Sequence, residues 1–220
     1  MKTFLEQQAQ TYDFGYGIYR ITDGAAYVDD KSPHSRFAVL SAEEEQTLRQ
    51  FHSRKRKLEF IAGRLAAKQA FCRWFDCTVY HPADISIQRR PNGVPFIAEH
   101  PDCIISISHS FEYAIALLAR RRIGLDIEKI ETRSPALVSY FCHPAEKFVY
   151  DRSESARYKD ELVTRWWTRK EAISKYTMLG SRMNFRDINT TVDVYEYEQP
   201  PSTIHLISNV SDGYAMSIAV

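Results

Sequence analysis

The stretch RKRKLEFIAGRLAAKQAFCRWF, residues 54–75, decides how the chain folds. Its apolar positions recur at the i, i+3, i+4, i+7 spacing of one helix face, namely Leu58, Ile61, Ala62 and Leu65. A helix with a single apolar face has to bury that face against another element. We therefore predict a long helix that lies against a sheet.

Strand patterns follow this helix, and the same order then repeats. The segment IISIS (104–108) alternates apolar and polar residues, and the apolar run YAIALLA (113–119) follows within the reach of a hairpin. After the short strand IGLDIE (123–128), a second helix is predicted over 160–178, and three β-like segments end the chain: 190–197, 202–208 and 214–220. A helix followed by strands thus occurs twice, which indicates two α+β halves of similar layout.

Composition excludes several classes of protein. With 220 residues, 44% apolar and 13% aromatic, the chain can bury a substantial core and is not disordered. The 29 Lys and Arg balance 28 Asp and Glu, so no overall charge attracts nucleic acid or an anionic membrane. Neither a membrane span nor a signal-peptide pattern is visible, and the four cysteines show no zinc-type pairing. We expect a cytoplasmic protein that binds neither nucleic acid nor a membrane.

Two acidic residues share one face of the strand IGLDIE. Because side chains alternate along a strand, Gly124, Asp126 and Glu128 lie on the face opposite to Leu125 and Ile127. Two carboxylates about 7 Å apart repel each other unless water or a cation lies between them. The pattern suits a divalent cation, and a solvated strand edge with charged residues is the alternative.

The second helix adds a polar stripe opposite its Trp166 face, formed by Thr164, Thr168, Glu171 and Lys175. Glu171 and Lys175 project together, and an ordinary surface pair would explain them. Alternatively, Glu171 is a third metal carboxylate beside a phosphate-binding ammonium. Magnesium suits such a set, since it prefers oxygen ligands and commonly binds one or two carboxylates together with substrate phosphates.

Basic residues concentrate at the start of the first helix. The run Arg54 to Lys57 stands where the helix dipole favours acids, and Arg64 and Lys68 share a face further along. An anionic ligand would offset this cost, whereas solvated surface cations are the alternative. His109 follows the IISIS strand, whose end could present its ring and the Ser108 hydroxyl to a cleft.

Four segments in this order resemble the signature series of the 4'-phosphopantetheinyl transferases: RKLEFIAGRLAAK (56–68), SISHS (106–110), IGLDIEKI (123–130) and WTRKEAISK (167–175). The similarity is to the long single-chain branch that activates surfactin, siderophore and polyketide synthetases. It implies two similar halves, 1–120 and 121–220, that are related by a pseudo-twofold axis and have the active site in the cleft between them.

The resemblance also implies roles for individual residues. Magnesium on the coenzyme A pyrophosphate would be held by Asp126, Glu128 and Glu171, with Mn²⁺ as a substitute. The implied contacts to coenzyme A come from Arg56, Arg64, Ser108, His109, Lys170 and Lys175. One departure is Val94, which stands where many relatives have a lysine in a Gly-Lys-Pro loop, so Arg89 or Arg90 would have to replace that contact.

The implied reaction is Mg²⁺-dependent transfer of 4'-phosphopantetheine from coenzyme A to a serine of an acyl or peptidyl carrier protein, releasing adenosine 3',5'-bisphosphate. Glu171 is the predicted base, acting directly or through a metal-bound water, Lys175 supports the leaving phosphate, and Asp126 holds the metal. We expect a monomer that binds its carrier transiently through the aromatic segment 132–150. A magnesium-dependent nuclease or phosphohydrolase, or a non-catalytic module that binds carrier proteins or nucleotides, is the alternative.

Overall fold

The computed structural model describes residues 1–29, 39–77, 81–198 and 201–220, and it divides the chain into two compact units. One unit comprises Lys2–Arg121, and the other comprises Arg122–Val220 together with Met1. In each unit a long helix packs on an antiparallel sheet, so the predicted α+β class is confirmed.

The sheet of the first unit has three described strands: β1 (Gly15–Arg20), β4 (Ile104–Ser110) and β5 (Tyr113–Ala119). Strand β5 lies in the centre and is antiparallel to both neighbours. A separate hairpin pairs β2 (Ile87–Arg89) with β3 (Pro95–Ile97). The strands predicted at 104–108 and 113–119 are therefore confirmed as a hairpin within one sheet.

Helix α4 (Arg54–Trp74) lies across this sheet, as its apolar spacing predicts. Ile61, Ala62 and Phe71 on it are fully buried. The helix approaches β1 so closely that a Cβ atom on Gly17 would lie 1.9 Å from the Ala66 carbonyl oxygen. Smaller elements complete the unit: α1 (Lys2–Tyr12), α2 (Ala25–Asp29), α3 (Ala42–Arg49) and the 3-10 turns Ile21–Gly24 and Pro82–Asp84.

The sheet of the second unit has the strand order β6-β9-β8-β7, with all neighbours antiparallel. Its strands are β6 (Gly124–Lys129), β7 (Val194–Glu198), β8 (Pro201–Ser211) and β9 (Tyr214–Ala219). The helices are α5 (Pro135–Phe141), α6 (Pro144–Arg152) and α7 (Ala156–Thr177), and two 3-10 turns span Gly180–Arg182 and Phe185–Asp187. In both units the first strand pairs with the last, and the last pairs with the strand before it.

Helix α7 is longer than the predicted span 160–178 because it begins four residues earlier. The Ser155 side chain caps it by accepting a hydrogen bond from the Tyr158 backbone, and the left-handed Met178 ends it at φ 59°. The helix lies against β6, where a Cβ atom on Gly124 would be 1.9 Å from the Ala172 carbonyl oxygen. Trp166 is buried in a cluster with α5, and Thr168 on the opposite stripe is buried as well. The predicted polar stripe therefore faces the sheet.

Both units contain a buried glutamate–lysine ion pair in the same structural context. In the first unit, Glu44 closes the capping box of α3, and its Oε2 lies 2.6 Å from Lys68 Nζ on α4. In the second unit, Glu146 closes the capping box of α6, and its Oε2 lies 2.7 Å from Lys170 Nζ on α7. Each pair fixes the long helix to a shorter one that precedes it in sequence.

Candidate active site

The acidic residues of β6 lie under helix α7. Asp126 is only 4% exposed, although β6 stands at the edge of the unit's sheet, and Glu128 two residues later is partly exposed. On the other strand face, Leu125 and Ile127 are fully buried. Burial of Asp126 rules out the alternative of a solvated strand edge.

Lys175 of α7 reaches directly into this acidic face. Its Nζ donates hydrogen bonds to Asp126 Oδ1 at 2.7 Å and to the Leu125 carbonyl oxygen at 2.8 Å. The Lys175 side chain is 29% exposed, whereas that of Asp126 is 6% exposed. The Lys175 ammonium is thus held at the border between core and solvent, and its ion pair with Asp126 joins the helix to the strand.

Glu171 is the third acid of the group, and its surroundings disfavour its charge. Burial raises the pKa of its carboxyl above the ordinary value of 4.5, and the charges of Asp126 and then Glu128 raise it further, while Lys175 lowers it. A carboxyl with a raised pKa is a stronger proton acceptor once it is ionised. The structure therefore brings four of the five residues predicted in this unit, all except Lys170, into one electrostatic group.

The chemistry of this group fits magnesium. All three acids offer carboxylate oxygens, the ligand type that Mg²⁺ prefers, and their mutual repulsion would be relieved by a divalent cation. Within the described ranges, however, no three His, Cys, Asp or Glu side chains are already grouped as a metal site. The arrangement shown is organised around the chain's own cation, and the metal set remains a prediction.

A cavity of about 110 Å³ adjoins the outer acid of this group. Its wall is mostly apolar and aromatic, with Glu128 on the edge, and the lining residues are Glu128, Arg133, Leu137, Phe141, Val163, Thr164 and Trp167. Arg133 Nη2 lies 3.9 Å from Glu128 Oε2 and is itself partly exposed. The second acid of the strand thus also faces a cation of the chain, and no sequence pattern singled out Arg133.

Lys170 lies in the interior of its unit. The resemblance implies that it contacts a phosphate, but its side chain is fully buried. Its Nζ donates to the carbonyl oxygens of Phe141 and Phe185, each at 2.8 Å, in addition to the ion pair with Glu146. The buried Lys170 ammonium thus has three acceptors within its own unit, and its contact with a phosphate stays a prediction.

Arg64 is likewise buried against an acid of its own unit. It is 5% exposed, its Nε lies 3.3 Å from Glu44 Oε1, and its guanidinium carbon lies 4.3 Å from the centre of the Phe60 ring. Burial lowers the pKa of this guanidinium to about 10, although the Glu44 charge acts in the opposite direction. The buried ion pair assigns Arg64 to the frame of the first unit.

The other residues predicted for coenzyme A remain candidates. Arg56 keeps 62% of its side chain exposed beside Glu59, which lies 3.4 Å away. Ser108 is buried and His109 is half-buried near the end of β4. In the loop that contains Val94, Arg89 donates to the Gly93 carbonyl oxygen and Arg90 to that of Pro101, so both side chains already have loop acceptors.

A buried chain of hydroxyl groups, which the sequence analysis missed, anchors α7 beside the acids. Thr168 Oγ1 lies 2.8 Å from Ser217 Oγ, and Ser217 Oγ lies 3.0 Å from Ser208 Oγ. Ser217 stands opposite Asp126 in the register of β6 and β9. Arg169 extends the chain by donating to Ser208, and it binds Asp193 through its other end.

A two-unit α+β chain with an acid-and-lysine group between strand β6 and helix α7 has the features of an enzyme that acts on a phosphate compound. The family model described as the 4'-phosphopantetheinyl transferase superfamily matches residues 122–219, and that of the 4'-phosphopantetheinyl transferase N-terminal domain matches residues 43–119. The chain belongs to the 4'-phosphopantetheinyl transferase superfamily. The predicted family and the predicted class of enzyme are confirmed.

The two sequence relatives described first agree with this assignment. A 4'-phosphopantetheinyl transferase of Bacillus subtilis is 26% identical over 168 residues, which cover 75% of this chain and 70% of the relative. A holo-[acyl-carrier-protein] synthase of Bacillus pumilus is 34% identical over 110 residues, which cover 45% of this chain and 87% of the relative. The crystal structure of a holo-(acyl-carrier-protein) synthase from Bacillus anthracis in complex with coenzyme A aligns at TM-score 0.42 and 24% identity, over 48% of this chain and 91% of that one.

The described part of the chain contains no helix whose length and apolar character would suffice to cross a membrane.

Proposed function

We propose that this protein transfers 4'-phosphopantetheine from coenzyme A to a serine of an acyl or peptidyl carrier protein, with Mg²⁺ as cofactor and adenosine 3',5'-bisphosphate as the second product. The observation that carries the proposal is the group of Asp126, Glu171 and Lys175 in the unit that the superfamily model matches. The names of two relatives, a phosphopantetheinyl transferase and a holo-[acyl-carrier-protein] synthase, support this substrate class.

Each residue of the group has a distinct proposed role. Asp126 and Glu128 would hold Mg²⁺ together with Glu171, and the bound ion would neutralise charge on the pyrophosphate of coenzyme A. Glu171 accepts the proton of the attacking serine, because burial and the Asp126 charge raise the pKa of its carboxyl and so make its carboxylate a better proton acceptor. Lys175 supplies a positive charge to the phosphate that leaves.

In the first unit we propose Arg56, Ser108 and His109 as contacts for coenzyme A. Arg56 has the exposure that an incoming phosphate requires, and its present partner Glu59 forms only a weak surface pair with it. Arg64 and Lys170 are left out of the set because their charges are buried against Glu44 and Glu146.

The carrier protein is proposed to dock on the segment 132–150. Leu137, Tyr140 and Phe148 are exposed there, with Tyr140 at 77%, whereas Phe141 belongs to the core. Arg152 stacks on Phe148, with its guanidinium carbon 3.5 Å from the ring centre. An apolar surface with a basic edge fits an acidic amphipathic helix.

The test is the intact mass of an apo carrier protein after incubation with the enzyme, coenzyme A and Mg²⁺. We expect the carrier to gain one phosphopantetheine, and no gain in excess chelator. Asp126→Asn and Glu128→Gln should slow transfer at least about a hundredfold, the effect of losing one key electrostatic group, while circular dichroism stays unchanged. Phosphodiester cleavage without a carrier would indicate the hydrolase alternative, and coenzyme A binding without any reaction would indicate a non-catalytic module.

A further inference from the structure

Each acid of strand β6 is matched by a cation of the same unit. Lys175 Nζ lies 2.7 Å from Asp126 Oδ1, and Arg133 Nη2 lies 3.9 Å from Glu128 Oε2. These two carboxylates are the ones that the proposed function assigns to a divalent cation. The cations of Lys175 and Arg133 therefore lie beside the acidic face of β6 in the protein without ligands.

A divalent cation and these two side chains compete for the same space. Charges of like sign within about 4 Å of each other repel, so Mg²⁺ and the Lys175 ammonium do not share Asp126 without cost. The absence of a preformed three-ligand site within the described ranges agrees with this competition.

The two side chains are also free to exchange partners. Lys175 keeps a second acceptor, the Leu125 carbonyl oxygen at 2.8 Å, so its ammonium can leave Asp126 without leaving the site. Arg133 is 32% exposed, and its contact with Glu128 is long, so that contact is weak. Once displaced, both cations lie beside the site and are available to a ligand that carries phosphates.

We propose that Lys175 and Arg133 occupy the metal-binding carboxylates of the cofactor-free protein, so that divalent cation and coenzyme A bind in a mutually dependent way. Lys175 and Arg133 would release the carboxylates when a divalent cation binds, and both side chains would then be available to pair with the phosphates of coenzyme A. By thermodynamic linkage, each ligand strengthens the binding of the other by the same factor. This inference rests on the proposed function, because that function supplies both ligands.

The test is the affinity for Mn²⁺ alone, measured from the free-ion signal in electron paramagnetic resonance, without coenzyme A. Lys175→Met should bind Mn²⁺ about 5- to 20-fold more tightly than the parent, and Arg133→Met about 2- to 5-fold more tightly, since a competing charge has been removed. Arg157→Met is the matched control, because Arg157 is 90% exposed and paired with Glu161 elsewhere on α7. The control should bind Mn²⁺ like the parent.

Coenzyme A is then added to the same titrations. It should tighten Mn²⁺ binding to the parent about tenfold or more, a common size for coupling between sites, and should have a smaller effect on Lys175→Met. Lys175→Gln, which can still donate to the Leu125 carbonyl oxygen, replaces Lys175→Met if thermal denaturation shows that the methionine variant is not folded.

The outcomes separate this inference from the proposed function. If Asp126→Asn abolishes Mn²⁺ binding but the Lys175 and Arg133 variants bind no more tightly than the parent, the competition is refuted and the metal site stands. If Asp126→Asn binds Mn²⁺ as the parent does, the metal assignment fails, and this inference fails with it.

Discussion

The buried ion pair of Lys170 allows a structural role to be distinguished from the predicted phosphate contact. The variant Lys170→Met replaces the lysine by a side chain of similar length that has no ammonium. Glu146, the Phe141 carbonyl oxygen and the Phe185 carbonyl oxygen each lose a donor within 2.8 Å. Glu146 keeps its hydrogen bonds from Thr190, so the loss to the carboxylate is partial.

The expected magnitude follows from this environment. Removal of one partner from a buried ion pair costs about 3–5 kcal/mol, and the remaining Thr190 contacts place this variant near the lower end. For a unit of this size, about 3 kcal/mol corresponds to a fall in Tm of roughly 10–20 °C. The double variant Lys170→Met/Glu146→Gln should recover part of the loss, because no buried charge is then left unpaired.

The assay is thermal denaturation followed by circular dichroism without any ligand, together with calorimetric titration of coenzyme A at a temperature where the variant is folded. Lys147→Met is the control, since Lys147 forms an exposed pair with Asp151 and should cost less than about 1 kcal/mol. We expect Lys170→Met to lose stability and to keep its affinity for coenzyme A. Parental stability combined with weakened coenzyme A binding would refute the structural role.

Three further predictions concern the frame and the site. In urea denaturation, Gly124→Ala should lower the free energy of unfolding by about 3 kcal/mol or more, because its Cβ atom would lie 1.9 Å from the Ala172 carbonyl oxygen. Gly63→Ala, whose nearest contact is at 3.4 Å, should instead raise the free energy of unfolding by up to about 1 kcal/mol. Equal effects of the two variants would contradict this difference in packing. Arg56→Ala should weaken coenzyme A binding about tenfold in calorimetry and leave Tm unchanged, whereas Arg64→Ala should lower Tm in thermal denaturation. The reverse pattern would assign the coenzyme A contact to Arg64 and the structural role to Arg56. Because the pKa of Glu171 is raised in the folded protein, its carboxyl stabilises the fold fully below pH 4.5, and this stabilisation is lost as the pH rises through the folded pKa. In excess chelator, Glu171→Gln should therefore have a higher Tm than the parent at pH 7 and should lose that advantage at pH 4. An advantage in Tm that does not depend on pH would exclude this electrostatic cause.

Periodicity predicted the elements that depend on local pattern. The apolar spacing around Ile61 defines α4, and the alternation around Ile105 together with the next apolar run defines the β4–β5 hairpin. Both signals arise from the regular spacing of apolar side chains, so they are readable from the sequence. The start of α7 was misplaced because its cap, Ser155, precedes a polar first turn that has no apolar stripe.

The site was predictable where residues act through their own chemistry, and not where their role depends on a distant partner. Asp126 and Glu171 could be chosen because paired carboxylates and the family motif single them out. Lys170 and Glu171 are neighbours in sequence and differ by about 100° around the helix, so one faces the capping box of α6 and the other faces β6. Nothing in the local sequence distinguishes a lysine that meets Glu146 from one that meets a phosphate.

Single-turnover transfer to an apo carrier protein by Glu171→Gln tests whether the acids of β6 and α7 carry out the proposed transfer. The glutamine keeps an oxygen ligand but takes no proton, so we predict coenzyme A and Mg²⁺ binding within a few fold of the parent and transfer slowed by about 10² to 10⁴. Transfer at the parental rate would contradict the account.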